Sequence, residues 1–372
     1  MSLSYKIIIV FFAFSLVGHS QTIELQTNLP TQLVKKVDFL SDTKADSASS
    51  DLDIKTYFDV KRGSSCINRD GSIFVNNGRI VELKSKGNEV TKISDGKFYD
   101  FGSPALDSDG KLLAYIRQEG NYGLIEFYDV ENKKNVATYT HYRVDEARLL
   151  NHLVMSGDGS VFAYSLFEPG IDPTGHHIYV VEKNSNSFSP TLIGQVEGLK
   201  SKMWINQQGN RIFYKAATRV NRALRTDVFM VEKKEDQWLP PARLSLPAKS
   251  GSALEPDIYD INLQGDQILV WTDSYGLAIV NELKGKWSEI DYIGYTPKLR
   301  DRARMTPDGM MVIVQSDHTK DVRDYEECDL LKFVKNGEKW NNEKLNPDGL
   351  KMFGDFLLSK DGNHLLWTPQ SE

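Results

Sequence analysis

Seven times along the chain a short polar turn ends in Gly and is followed at once by a run of apolar, β-type residues. The turns are Asn68-Arg69-Asp70-Gly71, Asp107-Ser108-Asp109-Gly110, Ser156-Gly157-Asp158-Gly159, Asn206-Gln207-Gln208-Gly209, Asn262-Leu263-Gln264-Gly265, Thr306-Pro307-Asp308-Gly309 and Ser359-Lys360-Asp361-Gly362. Ile73-Phe74-Val75 follows the first, Leu112-Leu113-Ala114-Tyr115 the second and His364-Leu365-Leu366-Trp367 the last. An Asp-Gly pair between apolar runs is a strong hairpin signal, because Gly reaches the positive φ of a tight turn without strain. The turn glycines lie 39, 49, 50, 56, 44 and 53 residues apart. A four-stranded blade takes about 40 to 50 residues. The spacing therefore predicts an all-β chain: a seven-bladed β-propeller of four-stranded antiparallel blades.

Each repeat reads as strand, turn, strand, loop, strand, turn, strand. In the fourth, a large aromatic, Trp238, enters the outermost strand. Trp287, Trp340 and Phe188 take the same place in the fifth, sixth and third repeats, where a big side chain packs between neighbouring blades. The seventh repeat has only two strands of its own before Glu372. Closing a propeller removes its exposed edges, so N-terminal strands are expected to complete the last blade. The candidates are 33–39 and 56–60, separated by a Ser-, Asp- and Ala-rich stretch at 41–53 that reads as a loop. No linker divides the remainder, and 21–372 reads as one domain.

Residues 1–20 read as a secretory signal rather than as part of the fold. Lys6 precedes an apolar stretch at 7–17, and Gly18-His19-Ser20 offers small residues where a signal peptidase acts. The stretch is short for a bilayer, and no other segment approaches the length of a membrane span. The mature chain is expected to start near Gln21, in the periplasm or outside the cell. With 45 Lys and Arg against 51 Asp and Glu, the net charge is −6, which argues against nucleic acid as a partner. Cys66 and Cys328 are too few for a disulfide framework, and blade order keeps them apart. No Asn-x-Ser/Thr acceptor occurs, which favours a bacterial exported protein.

The repeats resemble those of TolB-type, WD-repeat-like propellers of bacterial envelope proteins. The likeness spans about 60–372 and rests on the Ser/Asn-x-Asp-Gly turn with its trailing strand and on the Gly-x-Trp entry to the outer strand. The turns at Gln208 and Gln264 depart from it, with Gln in place of Asp. What the resemblance implies is mostly an interaction platform, with enzymes scattered among such propellers.

A propeller places its first-to-second-strand turns on one face and its longer loops on the other. On a rigid scaffold, long loops are where binding residues tend to sit. Candidate ligand-binding residues on that face are His141, Tyr142 and Arg143 before the third repeat and His177 in its loop. Arg219, Arg222 and Arg225 follow in the fourth, then Arg300 and Arg302 before the sixth and Arg323 within it. Arginine grips carboxylate, phosphate or sulfate with two parallel bonds, so this gathering points to an anionic partner. The adjacent His176-His177 pair would point to opposite sides of a strand and could not chelate one ion, and no metal-ligand spacing, nucleophile elbow or phosphate loop occurs. No metal and no cofactor are expected. The first reading is a monomeric, non-catalytic scaffold for an envelope protein or an anionic glycan. The alternative is a lyase on a uronic-acid polymer, with an arginine on the uronate and His141, Tyr142 or His177 moving the proton.

Overall fold

In a computed structural model of the chain the described residues are 53–56, 65–70, 72–77, 81–85, 90–93, 104–119, 122–141, 149–167, 175–184, 187–196, 198–199, 203–220, 223–244, 246, 257–272, 276–296, 302–317, 328–345 and 352–369. All lie within the compact unit Val37–Glu372. They form strands and turns, with no helix among them.

The described residues form seven sheets that follow one another in chain order. The first holds Ser65–Ile67, Ile73–Asn77, Val81–Ser85 and Val90–Lys92, hydrogen-bonded in that order. The second (105–141), third (149–196), fifth (257–292) and sixth (302–344) repeat the plan with four antiparallel strands each. The fourth follows it with divided outer layers. Gly198–Leu199 and Trp204–Ile205 both pair Arg211–Val220, while Gln237–Trp238 and Ala242–Arg243 both pair Ala223–Lys234. Pro240 and Pro241 sit in the second break, where proline has no N–H for the ladder.

The last sheet corrects one expectation. Met352–Leu358 and His364–Pro369 are antiparallel, but the strand added at the edge, Asp53–Thr56, is parallel, with Asp53 opposite His364 and Thr56 opposite Trp367. The N-terminal region does add an edge strand to the last sheet. The described part is Asp53–Thr56, which overlaps the 56–60 candidate at Thr56 and takes in Asp53, the end of the stretch read as a loop, while 57–60 lies outside the described residues. The 33–39 candidate lies outside the described residues.

Strands in this arrangement bury both faces, which is why their sequences run apolar instead of alternating. The core is accordingly distributed. Six clusters are found among the described residues, each joining two consecutive sheets: Val75 meets Tyr115, Phe127 meets Phe162, and Val180 meets Tyr214. Phe213 likewise meets Trp287, Leu269 meets Val312, and Ile313 meets Phe356. The outer aromatics do bridge sheets. Phe188 stacks on Phe127 of the preceding sheet (5.4 Å), and Trp287 meets Phe213 edge-on (5.9 Å). Trp238 and Trp340 donate their indole N–H groups back to Glu182 and Asp291, both at 2.9 Å.

The Gly-terminated turns are built alike. Gly110, Gly159, Gly209, Gly265, Gly309 and Gly362 all have φ between 68° and 77°, and each amide donates to the carbonyl of the turn's first residue. The second residues link the sheets to one another. The Arg69 N–H donates to Ser108 O (2.9 Å), Ser108 to Gly157 O (2.8 Å), Gly157 to Gln207 O (2.9 Å) and Gln207 to Leu263 O (2.8 Å). Asp361 N–H donates to Arg69 O (3.0 Å) and ties the last sheet to the first.

Candidate functional site: the central cavity and the rim

The inner strands of all seven sheets end around one cavity of about 270 Å³. Its wall is mainly apolar, with Leu106, Leu153, Met155, Met203, Met305 and Leu358 among the lining residues. The polar groups set into it are Cys66, His152, Asp260, Asn262, Arg304, Ser359 and Lys360. His152 occupies a bulge between Asn151 and Val154 with φ of 52°. Burial, with His176 nearby, lowers its pKa to about 4, so it stays neutral at pH 7. Asp260 accepts the N–H groups of Ile261 and Met305, both at 3.1 Å, and the Arg304 guanidinium donates to Ala303 O (2.8 Å) and lies over the Phe356 ring. Burial pushes the Cys66 thiol up to about 12, which makes it a poor nucleophile, and it forms no disulfide.

At the turn end of this cavity two side chains cross an intervening sheet. Gln207 passes over Gly157 to accept the Ser108 hydroxyl (2.8 Å). A Cβ at Gly157 would collide with that amide, so the crossing needs glycine there. Lys360 reaches past the first sheet to donate to Leu106 O (3.3 Å). Burial lowers the Lys360 pKa, against the opposing pull of Cys66 and Asp107. It also raises that of Asp107, whose carboxylate accepts the Lys111 N–H (2.8 Å). None of these residues stands among the candidates read from the sequence. The signal was there in one respect: the first, third and fourth turn positions repeat, whereas the second changes every time, through Arg69, Ser108, Gly157, Gln207, Leu263, Pro307 and Lys360.

Five of the sequence-derived candidates are described; none of these five is among the residues lining the cavity, and all five are on strands rather than in loops. His141 ends the strand Lys134–His141, and His177 pairs with Leu166 near the start of His176–Asn184. The two histidines meet around one ring, His141 at 4.9 Å and His177 at 6.4 Å from Tyr179. His141 Nδ1 also lies 2.5 Å from the Tyr164 hydroxyl, which in turn is 3.0 Å from that of Tyr139. Tyr164 is fully buried, and that burial drives its pKa upward, so it serves as a neutral core hydroxyl.

The expected loop of the fourth repeat is instead a hairpin, Arg211–Val220 against Ala223–Lys234, with Val220 paired to Ala223 across a two-residue connection. Arg219 pairs with Leu224, and Arg225 with Thr218, so these arginines occupy successive rungs near the hairpin tip. Arg302 starts the inner strand Arg302–Met305. Tyr142, Arg143, Arg222, Arg300 and Arg323 lie outside the described residues.

No protein-family model matches the chain, and no curated protein matches it. Solved structures do match. An oligogalacturonate lyase from Vibrio parahaemolyticus aligns with TM-score 0.54 and 13% identity, over 83% of this chain and 88% of that one. The Cps50 (Swd1) β-propeller domain of Myceliophteria thermophila aligns with TM-score 0.50 and 10% identity, over 80% of this chain and 90% of that one. The fold is a β-propeller. TolB from Acinetobacter baumannii gives a looser match, TM-score 0.44 at 12% identity, over 82% of this chain and 66% of its own length. At identities this low the likeness is one of fold, and a propeller fold hosts many functions. No helix among the described residues is long and apolar enough to cross a membrane.

Proposed function

We propose that this chain is an exported, monomeric, seven-bladed propeller that works as a non-catalytic docking scaffold for an acidic protein partner in the bacterial envelope. On this reading the mature chain runs from about Gln21 as one domain, and the last blade is closed by the strand at 53–56. The observation that carries it is the fourth-sheet hairpin, whose strands of 10 and 12 residues bear Arg219 and Arg225 close to its tip, with Arg222 in the connection. The hydrogen-bonded ladder fixes the backbone at Arg219 and Arg225, so less backbone entropy is lost when a partner's carboxylates are bound.

The uronate-lyase reading is the weaker one. Its proton-transfer candidate His141 is engaged through Nδ1 by a buried tyrosine and wedged against Tyr179, which supports a packing role. A pull-down from envelope extract with the mature chain, beside Arg219→Ala/Arg222→Ala/Arg225→Ala, tests the scaffold. A stoichiometric protein lost in the triple variant is expected. A column without a partner, together with elimination products from polygalacturonate, would replace the scaffold by the lyase.

A further inference from the structure

Among the described residues Lys360 has few partners. Its ammonium carries three N–H groups, and its one hydrogen bond to a described residue is the long one to Leu106 O (3.3 Å). No described carboxylate comes within ion-pair distance of it. Asp107 senses its charge but is committed to the Lys111 amide. The side chain retains accessible surface because it faces the cavity, while protein crowds it on its other sides. A desolvated cation with unspent donors beside an apolar cavity is costly unless an anion or water completes it. Arg304 adds a second cation to the same wall, and the Asp260 carboxylate is turned to the Met305 and Ile261 amides.

We propose that the central cavity is a binding site for a small carboxylate with an apolar tail, its carboxylate paired with the Lys360 ammonium and its tail laid against Leu106, Met155, Met305 and Leu358. The size fits this class, since about 270 Å³ lies just below the range typical of drug-sized ligands and admits a short chain but not a sugar polymer. The site is separate from the arginine-bearing hairpin and does not depend on the docking reading.

Isothermal titration of the mature chain with hexanoate, and with hexanol as the same tail without the charge, tests it alongside Lys360→Met. One hexanoate per chain is expected, with hexanol at least tenfold weaker and hexanoate at least tenfold weaker on the variant. The variant should unfold at the same temperature as the parent or higher, because it deletes an under-partnered buried cation. Absence of hexanoate binding, or equal affinity in the variant, would overturn the site. A variant melting well below the parent would do so as well, since Lys360 would then be a strut between the last sheet and the second.

Discussion

Within each turn, the identity of a residue is set by a specific bond. The first position accepts the amide five residues on: Ser156 from Val161 (3.0 Å), Thr306 from Met311 (3.0 Å), Ser359 from His364 (2.9 Å). The third position accepts the first residue's hydroxyl or amide, as Asp158 does from Ser156 (2.7 Å) and Asp308 from Thr306 (2.7 Å). In the fourth and fifth turns Gln208 and Gln264 offer the same oxygen to Asn206 (3.0 Å) and Asn262 (3.4 Å). What reads in the sequence as a degenerate repeat is thus a chemical equivalent. Burial pushes the Asp158 carboxyl up, but the bonds from Ser156 and Ser160 outweigh it and hold its pKa below the usual value. A pKa depressed by folding adds stability above about pH 4 that fades as pH falls through the lowered value. Asp158→Ala is expected to lose about 0.5–1 kcal/mol at pH 7, a modest figure because solvent screens the exposed carboxylate. The gap between parent and variant should narrow toward pH 2 in a calorimetric series.

Strands and hairpins were legible to different depths. The aromatic entry to the outer strand is visible in sequence because a large aromatic recurs once in each of the third to sixth repeats, 22 to 31 residues after the turn glycine. Its carboxylate partners are not, since Glu182 and Asp291 belong to the preceding sheet, 56 and 49 positions from Trp238 and Trp340. Lys233 and Lys335, on the neighbouring third strands, converge on the same two carboxylates at 2.9 and 2.5 Å, so the third and outer strands are each tied backward once. The fourth-repeat hairpin was missed although Asn221 opens its two-residue connection, a residue common in such turns. The arginines around it drew the reading toward a loop. Trp287 is 9% exposed and packs against Phe213 across the sheet boundary. Trp287→Ala should therefore lower stability by about 3 kcal/mol or more, measured by denaturant unfolding. A loss below about 1 kcal/mol would mean that the gap between the fourth and fifth sheets collapses to fill the space.

At the scale of the molecule, the succession of four-stranded antiparallel sheets among the described residues followed from the turn spacing, but the cavity did not. Which residues meet at the centre depends on where the inner strands end, and Cys66, His152 and Lys360 line the cavity from distant positions in the chain. The parallel pairing of Asp53–Thr56 was equally invisible, since no local pattern distinguishes parallel from antiparallel addition at an edge. Successive strand residues point their N–H groups to opposite edges, so Ile54→Pro/Lys55→Pro removes one ladder donor whichever of the two carries it, and is expected to lower the melting temperature and to produce light-scattering aggregates through the bared edge of His364–Pro369. An unchanged melt would show that this pairing does not hold the last sheet.

The same pairing fixes an order of events in time. Asp53 meeting His364 is the longest sequence separation of any strand pair described. On a ribosome or a translocation channel, the early strand emerges with its partner still unmade, while each interior sheet can complete itself from neighbouring chain. The final step is then a slow, non-local capture, and until it occurs an edge stands open to any other extended chain. Until His364–Pro369 emerges, it is the 53–56 segment that lacks its partner strand and is open to pairing with another extended chain.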